Sequence, residues 1–112
     1  MPSPDLGSPA VKRRSFVINT RRYWGAATYI TLLGEFDQAS AGELHARIRD
    51  AEETDVREIV VDLADVYYLD SSSLRVLVLA KRRSNGRLRY IPSCHDEVTR
   101  LLQATGTLAM FD

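Results

Sequence analysis

The sequence predicts an α/β fold: a single domain on a mixed sheet of four or five strands, with helices packed mainly on one side. Three observations predict it. Strand-like and helix-like stretches follow in the order strand, strand, helix, strand, helix, strand, helix, which is a hairpin followed by alternating strand and helix units. Glu58-Ile59-Val60-Val61-Asp62-Leu63 is apolar on both parities in its middle, as the central strand of a covered sheet requires. From Asp70 onward the pattern switches to helical spacing behind an acidic cap. A chain of 112 residues fits one domain that buries roughly two-thirds of its unfolded surface.

Residues 1–12 read as a flexible leader, because three prolines, serines and a glycine with few apolar side chains do not repay the entropy of ordering. The domain is expected over residues 13–112. Ser15 to Asn19 and Ala27 to Leu33 are rich in β-branched and aromatic residues, and Thr20 to Gly25 suits the loop of an antiparallel hairpin. Lys12, Arg13, Arg14, Arg21 and Arg22 then gather at one sheet edge, where solvated charge resists strand addition. Ser40-Ala41-Gly42-Glu43 predicts a capping box and a helix start. Ala41, Leu44, Ile48 and Ala51 form its buried stripe, with Glu43/Arg47 and Arg49/Glu53 as outer ion pairs.

The strand Glu58 to Leu63 leads through a short loop to Asp70, the expected N-cap of a helix running to about Ser84. At about 100° per residue, Leu74, Val76, Leu77, Val78 and Ala80 share the core face. Ser73 points inward, Ser71 and Ser72 outward, and Leu79 falls among Arg75, Arg82 and Arg83 as an exposed leucine. The Ser73 hydroxyl then needs an acceptor, which a carbonyl of the preceding turn would supply. Asn85-Gly86 stops the helix. Leu88 to Ile91 follows as a strand ended by Pro92. Ser93 with Asp96 suits the cap of a last helix carrying Val98, Leu101 and Leu102, and Thr105-Gly106 ends it. Leu108 to Phe111 is either a short edge strand or a fraying terminus.

Fifteen basic and fifteen acidic side chains cancel, so the global charge gives no reason to expect nucleic acid or an anionic membrane. The charge is nonetheless segregated: residues 1–34 carry +4, residues 35–70 carry −8 and residues 71–112 carry +4. A solvated helix face explains the acidic middle as readily as a partner surface does. Cys94 is the single cysteine, so no internal disulfide forms, which suits a reducing cytoplasm. No apolar run reaches the length of a membrane span, and the first residues lack the apolar core of a signal peptide.

Catalysis is not expected. His45 and His95 are isolated, Ser71 lacks the Gly-x-Ser-x-Gly elbow, the glycines are too scattered for a phosphate loop, and no Cys/His spacing suits a metal. The reading therefore includes no catalytic residue, metal or cofactor. What remains is a hydroxyl, Ser71, at a helix start, which is either a cap or a substrate for modification.

Leu69-Asp70-Ser71-Ser72 after a hydrophobic strand resembles the signature of the STAS domains, the family of the bacterial anti-sigma-factor antagonists. Gly34-Glu35-Phe36-Asp37 is similar to a turn of that family, and Val98-Thr99-Arg100-Leu101-Leu102 with Thr105-Gly106 is similar to its last helix. The likeness spans roughly residues 15 to 111, in the family's order. It departs at Ser73, where the family usually has glycine.

The resemblance implies a binding module that captures an anti-sigma factor with serine kinase activity and so frees a sigma factor. It implies phosphorylation at Ser71, with Ser72 as second choice, as the off-switch, and a serine phosphatase as a further partner. Glu35, Asp37, Asp70, Ser71, Ser72, Arg75 and Leu79 are the expected partner-binding residues, and the expected setting is the cytoplasm, without nucleic acid or membrane. Two alternatives stay open: a non-switching scaffold subunit of a stress-signalling or lipid-transport complex, and a small-ligand or nucleotide sensor.

Overall fold

The computed structural model describes residues 15–23 and 25–111; the expected leader lies outside them. Four strands form one sheet in the order β1-β2-β3-β4. β1 (Phe16–Tyr23) and β2 (Ala27–Phe36) pair antiparallel, whereas β3 (Glu58–Leu69) and β4 (Leu88–Ile91) continue the sheet in parallel. The sheet is mixed, as expected. The hairpin loop is shorter than Thr20 to Gly25, because Thr20 to Tyr23 stay paired with Ala27 to Ile30.

The segment after Leu63 is strand, not loop. β3 has 12 residues against 10 in β2. Two register shifts, between Thr31 and Leu33 and between Gly34 and Glu35, absorb the surplus. Bulges of this kind change the side-chain period, so Leu63, Val66 and Leu69 enter the core at every third position and the sequence there no longer alternates. The Asp62 carboxylate accepts the Ala64 N–H at 2.9 Å within the first shift.

Helix α1 (Gln38–Glu52) starts earlier than the sequence predicts. Its N-cap is Asp37, whose carboxylate accepts from Ala39 and Ser40 N–H, while the Ser40 hydroxyl accepts from Asp37 N–H at 2.9 Å. Ser40 is therefore the third helical residue of the box and is buried, and Glu43 plays no part in it. The outer ion pairs differ too. Arg47 reaches β1, donating to Ile18 O and Thr20 Oγ1, and Arg49 pairs with Glu52, which also receives Arg83.

α2 (Ser71–Arg83) follows β3 without a gap, capped by Asp70 as expected. The crossovers β2-α1-β3 and β3-α2-β4 run in the same direction across the sheet, which puts α1 and α2 side by side on one face. Leu44, Ile48, Leu74 and Leu77 pack there on Ile30, Leu32, Val61 and Leu63. α3 (Asp96–Ala104) adds Val98 and Leu102 to the same core.

Ser93 does not cap α3. Its hydroxyl donates to Val66 O and accepts from His95 N–H, tying the segment after β4 to β3, and His95 is the N-cap without a side-chain bond. Leu108–Phe111 forms a 3-10 turn, so no fifth strand exists among the described residues. Phe111 is buried and stacks on Tyr90, with ring centroids 4.5 Å apart.

Candidate functional site: the paired helix starts

β2 and β3 end together. Phe36 lies opposite Leu69, and the Asp70 N–H donates to Phe36 O at 3.0 Å. Each strand is followed at once by an aspartate cap, Asp37 for α1 and Asp70 for α2, so two helix starts sit side by side at one end of the sheet. Ser73 joins them. Fully buried, it donates its hydroxyl to the Asp37 carbonyl at 3.1 Å. The inward bearing was legible from the sequence, but the acceptor lies across the helix pair and not in the preceding turn. The buried Ser73 hydroxyl is thus satisfied, because the neighbouring helix start supplies its acceptor.

The three serines of α2 divide by burial. Ser71 is exposed, Ser72 is half-buried where an outward position was expected, and Ser73 is buried. The Asp70 carboxylate accepts from Ser73 N–H at 2.9 Å, so the capping work is done by Asp70. The Ser71 hydroxyl makes no hydrogen bond among the described residues. Glu35, Asp37 and Asp70 are half-buried, and both aspartates use a carboxylate oxygen in capping.

Two surface grooves meet at Ser71. One runs down α2, lined by Ser71, Leu74, Arg75, Val78, Leu79 and Arg82. The other lies between the start of α2 and α3, lined by Tyr68, Asp70, Ser71, Glu97, Val98 and Leu101 among others. The first is basic and apolar, the second acidic and apolar. Leu79 is 40 % exposed, as its wheel position predicts. Val76 and Val78, placed in the core by the wheel, are only partly buried against it, and Val78 belongs to the groove wall.

The structure thus brings Ser71, Arg75 and Leu79 to one face of α2, with Asp70 at its cap beside the second groove, Asp37 at the adjoining helix start and Glu35 paired in register with Tyr68 at the end of the sheet. Sequence reading missed Tyr68, Glu97 and Leu101, because nothing local signals that α3 folds back beside the start of α2. Among the described residues no three His, Cys, Asp or Glu side chains gather as metal ligands, and no helix is long and apolar enough to cross a membrane.

This architecture has known counterparts. The family model described as "Mlab, STAS domain" matches residues 20–109. The chain belongs to the STAS domain family. Solved structures share the fold of this STAS domain. An anti-sigma factor antagonist from Mycobacterium paratuberculosis superposes with a TM-score of 0.75 at 20% identity, over 87% of this chain and 83% of its own. The anti-sigma factor antagonist SpoIIAA in its unphosphorylated form gives a TM-score of 0.68 at 19% identity, over 86% of each chain. The Bacillus cell fate determinant SpoIIAA in the phosphorylated form gives 0.62 at 19% identity, over 86% of this chain and 89% of its own.

Proposed function

We propose that this STAS domain is an anti-sigma-factor antagonist: a non-catalytic, cytoplasmic binding module that captures an anti-sigma factor with serine kinase activity and releases it when Ser71 is phosphorylated. One observation carries the reading. Asp70 already caps α2, so the Ser71 hydroxyl is exposed, unbonded among the described residues, and set where two apolar-lined grooves meet. A serine needed as a cap would be engaged; this one is open to a kinase. The interface on this reading comprises Glu35, Asp37, Asp70, Ser71, Ser72, Arg75 and Leu79, with Leu79 as the apolar anchor. A serine phosphatase resets the switch.

A phosphate adds roughly −1.5 to −2 charges. A unit pair at ~4 Å and an effective dielectric of ~20 interacts by about 4 kcal/mol before screening, and ~1.4 kcal/mol is tenfold in affinity. Half that repulsion, against the desolvated or acidic surface of a bound partner, loosens the complex by more than an order of magnitude. The helix start tolerates the charge, since its exposed N–H groups favour an anion.

Ser71→Asp is therefore expected to bind the anti-sigma factor at least tenfold more weakly with an unchanged melting temperature. Ser71→Ala should bind constitutively and resist the kinase with ATP. Titration calorimetry and phosphopeptide mapping test both. Modification at Ser72 instead, or a complex that survives phosphorylation as a constitutive scaffold would, sinks the switch.

A further inference from the structure

We propose that Arg75 reads the phosphorylation state of Ser71: the phosphoserine pairs with the guanidinium one helical turn on, withdrawing it from the groove along α2. The proposal rests on Ser71 being the modified residue and adds how the charge is received.

Four observations carry it. Ser71 and Arg75 stand four positions apart on α2 and line the same groove, the spacing at which an acidic group N-terminal to a basic one pairs best. Arg75 is exposed and has no hydrogen bond or ion pair among the described residues, whereas Arg83 on the same helix is held by Glu52. The opposite side of Ser71 is closed to an anion, because the second groove is lined by Asp70 and Glu97. The Asp70 carboxylate also occupies the Ser73 N–H, leaving the guanidinium as the main side-chain donor for the added oxygens.

A dianionic phosphate on Ser71 is thus repelled from α3 and drawn down α2 toward Arg75, where charge-assisted hydrogen bonds form to a planar fork suited to phosphate. In the unmodified state the same guanidinium, flanked by Leu74, Val78 and Leu79, is a donor for an acidic side chain on a docked partner. One side chain then has two alternative acceptors, and phosphorylation decides between them. Arg75 acts here on binding and carries no catalytic role.

The test needs no partner. The protein is made with phosphoserine encoded at position 71, and its phosphate is titrated by phosphorus NMR alongside Arg75→Gln and Arg82→Gln variants. Arg82 lies eleven residues from Ser71, about 16 Å along the axis, beyond a Debye length of about 10 Å at 0.1 M salt. Its variant removes the same charge without touching the pair.

The phosphate pKa of the wild-type sequence should lie below that of Arg75→Gln by roughly 0.3 unit or more and match that of Arg82→Gln. The Arg75 Nε–H resonance should shift on phosphorylation. Equal phosphate pKa values in the wild-type sequence and Arg75→Gln, or an equal shift in both variants, overturns the pair. Failure there leaves kinase mapping of Ser71 untouched, while mapping to another residue removes the modification and leaves the measured pairing as a property of the site.

Discussion

A Cβ on residue 34 would sit 2.4 Å from the Ser15 carbonyl oxygen, on a backbone whose φ is +98°. Any other residue there meets two penalties at once, left-handed strain of roughly 1–2 kcal/mol and a clash with a main-chain atom that yields only if β1 moves. This is the physical content of the glycine in Gly34-Glu35-Phe36-Asp37, which sits at a register shift just before the α1 cap. Gly34→Ala is expected to cost about 3 kcal/mol, read as the loss in urea midpoint; a midpoint within error of wild type would show that the β1–β2 pair yields freely. The sequence motif was visible, but the contact behind it was not, because the Ser15 carbonyl is brought there only by hairpin pairing. Ser73 repeats the lesson. A helix wheel sets its bearing, whereas its acceptor, Asp37 O, is 36 positions away in sequence and no local rule points to it.

At the scale of elements, the places where reading and structure part are the places where tertiary pairing outvotes local pattern. Ser40-x-x-Glu43 and Asp37-x-x-Ser40 both satisfy the geometry of a capping box. The second prevails because Phe36 stays in the sheet opposite Leu69, so the chain turns at residue 37. The expected strand ends earlier than β3 for a related reason, since the bulges that keep β3 paired to β2 erase the alternation that marks a strand. Asp70, followed by three serines that could also cap, matches the sequence expectation because its carboxylate takes the Ser73 N–H. Its capping role and the proposed partner contact can be tested apart. Asp70→Asn keeps an acceptor for Ser73 N–H and should melt near wild type, whereas Asp70→Ala should lose about 1 kcal/mol, a fall of about 4 °C for a domain of this size. If partner binding falls in Asp70→Asn while melting does not, the carboxylate charge belongs to the interface; equal melting of all three proteins in calorimetry would show that α2 does not depend on this cap.

For the molecule as a whole, the mixed sheet and the one-sided helix layer followed from the order of elements, while the closing turn did not. Leu108 to Phe111 has strand-like composition, yet it wraps under β4 as a 3-10 turn because Phe111 finds an aromatic partner in Tyr90. That stack seals the end of the core. The Tyr90 hydroxyl is buried and donates to Leu77 O of α2. Burial pushes the Tyr90 phenol well above its ordinary value, and the consequence for stability has a definite sign. Below pH ~10 the phenol is neutral in both the folded and the unfolded chain, and its hydrogen bond stabilises the fold in full. Above that pH the unfolded chain releases the proton while the folded one keeps it. The unfolded state then binds fewer protons, so stability falls as pH rises, by up to about 1.4 kcal/mol per pH unit. Tyr90→Phe keeps the ring stack and loses the hydroxyl. It should be less stable by about 1 kcal/mol at pH 8, and the gap should narrow between pH 10 and 11 as the wild type declines. Urea denaturation of both proteins across pH 8 to 11 measures it. Parallel curves would mean that the Tyr90 hydroxyl reaches water in the folded chain and that the Phe111 turn opens without the rest of the core.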